Sequence, residues 1–272
     1  MNIDSIEISK KIRKIILETA LKAGAKSAHI GGALSIVDIL SVMYSKPFLK
    51  FQPKNPRWEK RDRLILSKGH CCLAYYALLN LMGFITKEDL ELFEADGAIL
   101  LGHPVRNMDK GIEFSTGSLG MGISIAIGVA ISSKLTKNDY NVFAIVGDGE
   151  TNEGSVWEAI MSAPNLNVNN LTMIIDKNNF QQTGKTNEIM RNDNFETKLK
   201  GFGWDVYEID GHNHKEIECA LNEKTKNPKA IIANTLKGKG FSFSENNNNW
   251  HHSVLSKKIF DDAIEELDKN DN

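Results

Sequence analysis

The sequence has few of the features that mark a specialised class of protein. Its 272 residues include only 3 cysteines and 6 prolines, and no apolar run approaches the roughly 18 residues that a membrane-spanning helix needs. The N-terminus carries acidic residues early and has no uninterrupted apolar core, so we expect no signal peptide. With 33 basic and 35 acidic side chains, the formal charge of −2 offers no overall positive field for nucleic acid. These absences predict a cytoplasmic protein that binds neither membrane nor nucleic acid.

The cysteines do not form a disulfide framework. Cys71 and Cys72 are adjacent, without the spacing of a CxxC motif, and Cys219 is far from both in the sequence. An odd number of thiols cannot pair completely within one chain. Because unpaired cysteines are commonly buried, we expect these thiols to be reduced, buried and inert.

Apolar segments typical of strands alternate with helical candidates along the chain. Short, mostly continuous apolar runs predict strands over residues 63–67, 142–146, 171–175, 204–209 and 230–234. Continuous apolarity is typical of strands covered on both faces, as in a parallel sheet. Helices are predicted over 3–23, 36–44, 73–82, 87–94, 121–134, 156–165, 215–225 and 257–267. This order predicts an α/β fold with a doubly wound, mostly parallel sheet and helices on both faces. Since no Pro/Ser-rich linker divides the chain, we expect one domain over residues 1–272.

The most informative segment is Gly147-Asp148-Gly149, which joins the second predicted strand to a helix. In open α/β sheets, ligands bind at the carboxyl ends of the strands, and glycines let backbone N–H groups approach a phosphate. An aspartate between two glycines repels the phosphate unless a cation lies between them. The segment therefore suggests a phosphate that is bound through a divalent metal.

Asn178 follows the next predicted strand and offers a second oxygen ligand. An amide oxygen suits Mg²⁺ or Ca²⁺ better than zinc, and it can approach Asp148 if the two strands are neighbours. The alternative is purely local: Asp148 caps the following helix, and Asn178 makes a turn. Because the two polar residues end successive strands, we favour the metal site.

The spacing of Gly147-Asp148-Gly149 to Asn178 resembles the diphosphate-binding motif of thiamine enzymes, and other segments are similar to the transketolase family. In chain order, those segments are Ser27-Ala28-His29, Leu66-Ser67-Lys68-Gly69-His70, Leu101-Gly102-His103-Pro104, Thr116 to Gly122, and Gly238-Lys239-Gly240 with the later Trp250-His251. The resemblance covers essentially the whole chain. The chain departs from the family pattern at Ala28, at Ile30-Gly31-Gly32, and at His252, where transketolases commonly have glycine.

The resemblance implies thiamine diphosphate as cofactor, held through Mg²⁺, or through Ca²⁺ or Mn²⁺ in its place. The implied metal ligands are the side chains of Asp148 and Asn178 and the backbone carbonyl of Phe180. The implied cofactor contacts are His70, Gly117, Leu119, Gly147, Gly149, Glu153, Asn178 and His251. The implied catalytic residues, which handle protons and sugar hydroxyls, are His29, His103 and His251.

The same resemblance implies an incomplete enzyme. A full-length transketolase continues into a pyrimidine-binding domain and a C-terminal domain, so this chain resembles the N-terminal subunit of a split transketolase. The implied partner is a C-terminal subunit in an α2β2 assembly. The implied reaction moves a two-carbon ketol unit from a ketose phosphate to an aldose phosphate. Two alternatives stay open: a specialised transketolase-like enzyme that acts on an unusual sugar, and a non-catalytic binding or regulatory subunit.

Overall fold

The computed structural model describes residues 4–46 and 48–269. Its central sheet has five parallel strands in the order β1-β2-β3-β7-β6. These strands are β1 (Arg63–Leu66), β2 (Val142–Gly147), β3 (Leu171–Lys177), β6 (Asp205–Asp210) and β7 (Lys229–Asn234). A separate antiparallel hairpin consists of β4 (Phe180–Gln181) and β5 (Gly184–Lys185). The predicted strands of the main sheet are confirmed, each to within two residues at either end.

The helices of the described residues are α1 (Ser5–Ala23), α2 (Gly31–Ser35), α3 (Val37–Ser45), α4 (Cys72–Leu81), α5 (Lys87–Glu91), α6 (Met121–Thr136), α7 (Gly154–Asn165), α8 (Thr186–Ile189), α9 (Phe195–Phe202), α10 (His214–Asn222) and α11 (Lys257–Lys269). Each predicted helix is present, although the predicted start at Ile3 lies outside the described residues. Helices α2, α8 and α9 were not predicted from the sequence. These helices are short, and α2 begins with two glycines, which disfavour a helix on propensity alone.

The sheet is covered on both faces by two hydrophobic cores. Along β2, Phe143 and Ile145 point into one core, whereas Val142 and Ala144 point into the other. Helices α1, α3, α4, α10 and α11 cover the first face, and α6, α7 and α9 cover the second. Because alternate side chains of each central strand enter different cores, both sets must be apolar. The doubly wound α/β architecture that the sequence predicts is confirmed.

The helix predicted over 87–94 ends early. Helix α5 begins at a capping box formed by Thr86 and Asp89 and stops at Glu91. The chain then turns, because Glu94 adopts a left-handed φ of +61° and its N–H donates to the carbonyl of Leu100 at 3.0 Å. A local propensity argument does not find this turn, since its hydrogen bond closes six residues further on.

The cysteines behave differently from one another. Cys71 and Cys72 are buried, as expected, and burial raises the pKa of Cys71 to about 12. Cys219 is exposed, so the expectation of a buried thiol is wrong there. The reason is its place on α10: Ile217, Ala220 and Leu221 face the core, whereas Cys219 lies on the side of the helix that faces solvent. Within the described residues, no helix is both long and apolar enough to cross a membrane.

Candidate functional site

A cleft of about 480 Å³ opens at the carboxyl ends of the central strands. The segments that follow β1, β2, β3 and β7 form its walls, which is the usual place for a ligand in an open parallel sheet. Every residue predicted from the sequence as a catalytic, cofactor-binding or metal-binding residue lines this cleft: His29, His70, His103, Gly117, Leu119, Gly147, Asp148, Gly149, Glu153, Asn178, Phe180 and His251. The tertiary structure therefore brings these residues together, while their individual roles stay predictions.

Asp148 and Asn178 meet because β2 and β3 are adjacent parallel strands. Gly147 pairs with Asp176 in the register, and the N–H of Asp148 donates to the carbonyl of Asp176 at 3.1 Å. The Asp148 carboxylate accepts the N–H of Gly149 at 2.9 Å on one oxygen. Its other oxygen accepts the N–H of Asn179 at 2.7 Å, which ties the ends of the two strands together. The carboxylate is thus held at the junction of the strands.

The local hydrogen bonds that were the alternative explanation for Asp148 and Asn178 are also present, and they are compatible with a role as metal ligands. Asn178 makes a turn in which its side-chain oxygen accepts the N–H of Phe180 at 3.0 Å. Its side-chain nitrogen donates to the carboxylate of Asp176 at 2.9 Å, so the amide orientation is fixed. Because an amide or carboxylate oxygen has two lone pairs, Oδ1 of Asp148 and the side-chain oxygen of Asn178 each keep capacity for a second partner. Oδ2 of Asp148 also accepts a long hydrogen bond, of 3.5 Å, from the hydroxyl of Thr186. These hydrogen bonds therefore fix the direction of the side-chain oxygens and leave acceptor lone pairs for a cation.

A cluster of imidazoles forms another wall of the cleft. The ring of His29 lies 5.6 Å, centre to centre, from that of His70 and 5.5 Å from that of His103. The ring of His251 lies 5.4 Å from both His29 and His70. Burial, followed by the neighbouring imidazoles, lowers the pKa of His29 to about 3. The cluster is therefore neutral near pH 7, and its rings can donate and accept hydrogen bonds.

Known proteins match almost the whole of this chain. Residues 5–270 match the family described as the transketolase thiamine diphosphate binding domain. One of the named subunits of the apulose-4-phosphate transketolase of Phocaeicola vulgatus is 38% identical over 271 residues, which cover 98% of this chain and 95% of that protein. The chain belongs to the transketolase family. In a Clostridium species, one of the subunits of a 6-deoxy-6-sulfo-D-fructose transketolase is 40% identical over 261 residues, covering 95% of this chain and 94% of that protein.

Solved structures of transketolases share the fold. The transketolase of Campylobacter jejuni superposes with a TM-score of 0.90 at 32% identity, over 98% of this chain and 43% of that one. The transketolase of Leishmania mexicana gives a TM-score of 0.91 at 27% identity, over 98% and 42% of the two chains. This chain therefore spans less than half the length of those transketolases, whereas it nearly matches the length of the relatives named as subunits.

The donor atoms of the cleft fit a hard divalent cation in this transketolase-family chain. Asp148 offers a carboxylate and Asn178 an amide oxygen, and both line the cleft beside Phe180. Burial, then the charge of Asp176, raises the pKa of Asp148 to about 7, and a bound cation would relieve that cost. The side-chain oxygen of Asn152, in the same cleft, is buried and has no hydrogen-bond partner among the residues that the structure describes. In the described part of the chain, no three His, Cys, Asp or Glu side chains group into a metal site, so this set needs ligand oxygens to complete it.

Beneath these residues lies an ion pair that the sequence analysis missed. Lys68 and Asp176 are in contact, with 1% and 0% of their side chains exposed. Burial acts against both charges, but each partner overrides it: Asp176 raises the pKa of Lys68, and Lys68 lowers the pKa of Asp176. Asp176 also accepts from the hydroxyls of Ser35 and Thr235. The pair anchors Asn178, and it places a cation in the cleft wall.

We predict that Asp176→Ala lowers the free energy of unfolding by about 3–5 kcal/mol, because it leaves the buried Lys68 ammonium unpaired. The measurement is urea denaturation followed by circular dichroism. Glu208→Ala is the matched control, since it removes a carboxylate from the partly exposed pair with Lys177, whose atoms lie 3.0 Å apart. That control should cost less than about 1 kcal/mol. Similar losses in the two variants would contradict the prediction.

A second buried lysine was also missed and fixes the orientation of His251. Lys237 is 1% exposed, and its ammonium donates to Nδ1 of His251 at 2.9 Å and to the side chain of Asn248 at 2.7 Å. Nδ1 of His251 is therefore an acceptor, so its Nε2 carries the proton. Burial, then the charge of Lys68, lowers the pKa of Lys237 to about 8, and burial, then Lys237, lowers that of His251 to about 4. Lys68 lies within one of the segments that resemble transketolases, and Lys237 immediately precedes another, so this proximity was the available signal.

His252, a departure from the family pattern, lies against the outer side of the cluster. Its ring is 4.3 Å from that of His29, and it contacts the hydroxyl of Ser27, with a shortest distance of 2.9 Å. The two segments are joined by a pair of backbone hydrogen bonds between Ala28 and Ser253 at 3.0 and 3.1 Å. This short bridge fixes His252 over His29 at an exposed position.

We predict that His252→Gly raises the pKa of His29 above its value of about 3 in the parent chain. The substitution admits water to the ring and removes a neighbouring imidazole, and both burial and that imidazole lower the pKa. Titration of the imidazole resonances by NMR measures the change. His214→Asn is the control, because His214 bonds Ser5 and Asp38 away from the cleft. An unchanged His29 titration in His252→Gly would contradict the prediction.

Proposed function

We propose that this chain binds the diphosphate end of thiamine diphosphate through a divalent cation and, with a C-terminal partner subunit, transfers a two-carbon ketol unit between sugars. The observation that carries the proposal is the juxtaposition of Asp148 and Asn178 at the ends of adjacent strands, in a cleft that also holds Lys68 and Lys237. Oxygen ligands for a cation and ammonium groups for an anion in one cleft suit a metal-bound diphosphate. The chain acts in this proposal as one diphosphate-binding domain of a cytoplasmic enzyme.

The proposed cation is Mg²⁺, with Ca²⁺ or Mn²⁺ as substitutes. Asp148, the side-chain oxygen of Asn178 and the carbonyl of Phe180 would hold it. Gly149 would donate its N–H to the diphosphate, and a Cβ there would lie 2.8 Å from the side chain of Gln181, which supports the need for glycine. Gly147, His70 and Glu153 would complete the cofactor contacts of the cleft floor, with Gly117 and Leu119 beside the rest of the cofactor.

The imidazoles of the cleft would bind the sugar substrate and exchange protons with it. Thiamine diphosphate, when bound, supplies the nucleophilic carbon that cleaves a carbon–carbon bond of a ketose. His29 is held neutral and can both donate to and accept from a sugar hydroxyl. His251 directs its Nε2 proton away from Lys237, so it can donate to a developing oxyanion. His103, at an exposed position of the cleft, is the proposed group for proton exchange with the sugar.

The proposed partner is a C-terminal subunit that supplies the pyrimidine-binding domain, in an α2β2 assembly. Apolar side chains are exposed at and beside the cleft: Leu101, Leu119, Met121, Ile189 and Met190. Contiguous apolar surface around a binding cleft is typical of a protein–protein contact. The relatives of similar length are named as subunits, and the longer transketolases extend well beyond the matched region.

The substrate class has two candidates. The first is an ordinary ketose phosphate with an aldose phosphate acceptor. The second is an unusual sugar. The two relatives of similar length favour it, because their names include apulose 4-phosphate and 6-deoxy-6-sulfo-D-fructose. The additional imidazole of His252 beside His29 changes the hydrogen-bonding surface that a sugar meets, which also supports a specialised substrate.

The test is a ketol-transfer assay of the chain mixed with its companion subunit, thiamine diphosphate and Mg²⁺. Ketose phosphates, apulose 4-phosphate and 6-deoxy-6-sulfo-D-fructose are supplied in turn as donors, and the released aldose is measured. Transfer with any donor supports the proposed reaction, and the preferred donor decides the substrate class. If no donor reacts while the cofactor with Mg²⁺ still raises the melting temperature of the mixture, the chain is a binding or regulatory subunit, and the enzymatic proposal is wrong.

A further inference from the structure

Glu94 makes an unusual set of contacts just before the segment that carries His103. Its backbone is left-handed, with a φ of +61°, and its N–H donates to the carbonyl of Leu100 at 3.0 Å. Its carbonyl accepts from the ammonium of Lys26, and its carboxylate accepts the N–H of Gly102. The backbone and the side chain of Glu94 therefore both bind the segment 100–102, and the side chain binds it at Gly102, the residue that precedes His103.

The contact sets a carboxylate against the backbone N–H of a glycine. A non-glycine residue with positive φ is strained, so other contacts must compensate for the strain. A Cβ at Gly102 would collide with the carboxylate of Glu94, so any larger residue there would have to displace that carboxylate from the backbone. The hydroxyl of Tyr76 further holds this segment by donating to the carbonyl of Leu101 at 3.0 Å. The backbone that presents His103 is therefore fixed on both sides.

The charge of Glu94 also acts on His103. Burial and His252 lower the pKa of His103, whereas Glu94 raises it. The titratable groups that interact with this imidazole include Glu94, His252, His70 and His29, whose ring lies 5.5 Å away. On its other side His103 abuts Gly117, where a Cβ would lie 2.9 Å from the imidazole. Burial, and then neighbouring imidazoles and lysines, lower the pKa of His29 to about 3 and that of His251 to about 4, and within the described ranges neither has a carboxylate that raises it.

We propose that Glu94 is a positioning residue for His103: its carboxylate fixes the backbone at Gly102 and keeps the adjacent imidazole able to take up a proton. Within the histidine cluster this sets His103 apart as the ring that exchanges protons, while its neighbours stay neutral hydrogen-bond partners. The kinetic part of the inference rests on the proposed function, whereas the electrostatic part concerns this chain alone.

The first experiment measures the titration of the histidine imidazoles by NMR in the isolated full chain. Glu94→Gln keeps an oxygen for the N–H of Gly102 but removes the charge, and we expect the pKa of His103 to fall by about half a pH unit. Glu91→Gln is the matched control, because Glu91 is an exposed glutamate at the end of α5, and it should leave His103 unchanged. Glu94→Asp, which retains the charge, should restore part of the shift. An unchanged His103 titration in Glu94→Gln would overturn the proposal.

The second experiment uses the mixture with the companion subunit. Glu94→Gln should lower kcat more than it changes KM and should move the acidic limb of the kcat profile to lower pH. A purely structural role would reduce activity equally at every pH, and that result contradicts the proposal. If the NMR shift is present but kcat is unaffected, Glu94 tunes His103 and the proton-exchange role of His103 is wrong. If the parent mixture is itself inactive with every donor, the proposed function fails while the NMR result still decides the role of Glu94.

Discussion

Asp148→Ala should weaken the binding of thiamine diphosphate with Mg²⁺ by more than about 100-fold. Loss of a residue that only hydrogen-bonds a metal ligand already lowers metal affinity by about 10- to 100-fold, and Asp148 is a proposed ligand itself. Asp148 is the carboxylate of the proposed donor set, and the other two donors are uncharged oxygens. Without it, the diphosphate anion meets an incompletely held cation. Calorimetric titration of the cofactor into the assembled subunits, at fixed Mg²⁺, measures the loss.

His29→Ala is the matched control for this experiment. His29 lines the same cleft but lies outside the donor set, so the variant should bind the cofactor almost normally and lose turnover. Urea denaturation of both variants shows whether either is merely unfolded. Equal cofactor affinity in the parent chain and Asp148→Ala would refute the assignment of Asp148 as a metal ligand.

The pH dependence of the parent protein gives a further check on Asp148. Its pKa is raised to about 7 in the metal-free chain, so below that pH the cation must displace a proton before it binds. The Mg²⁺-dependent affinity should therefore fall as the pH drops through 7, by about tenfold for each pH unit once the carboxylate is protonated. Asp148→Ala should lack this dependence.

The second large effect is the requirement for a companion subunit: this chain alone should transfer no measurable ketol unit, and activity should arise on mixing. The resemblance to transketolases implies that a glutamate of the pyrimidine-binding domain, which the proposed companion subunit would supply, activates the pyrimidine ring of the cofactor. Glu153, an exposed acid of the cleft, matches a different motif position and is not a substitute. The exposed apolar side chains at and beside the cleft are the proposed contact surface.

An assay with the two subunits measured separately and then mixed tests this requirement, and sedimentation of the mixture tests the α2β2 mass. Met190→Lys places a charge on an apolar residue that is 58% exposed and lines the cleft, so it should weaken assembly and activity together. Leu166→Lys is the control: Leu166 is 49% exposed but follows the C-terminus of α7, on the way to the amino end of β3, and does not line the cleft. Substantial ketol transfer by this chain without a companion subunit would contradict the proposed requirement for one.

Much of the fold was predictable because its signals are local. The continuous apolar runs specified the strands of the main sheet, since each central strand contributes alternate side chains to two cores. The glycines and polar residues at the ends of two of those strands indicated the place of Asp148 and Asn178. Short elements such as α2 and α9 were missed, because a few residues give too weak a periodicity for recognition.

The sequence by itself determined the strand and helix pattern, the motif at the end of β2 and the identity of the histidines that enter the cleft. The tertiary structure alone decided the insertion of β7 between β3 and β6, the pairing of Lys68 with Asp176, and the closure of Glu94 onto Gly102. The physical reason is the range of each interaction. Propensity and periodicity act between near neighbours, whereas a buried charge is tolerated only where the folded chain brings its partner, which for Lys68 is 108 residues away.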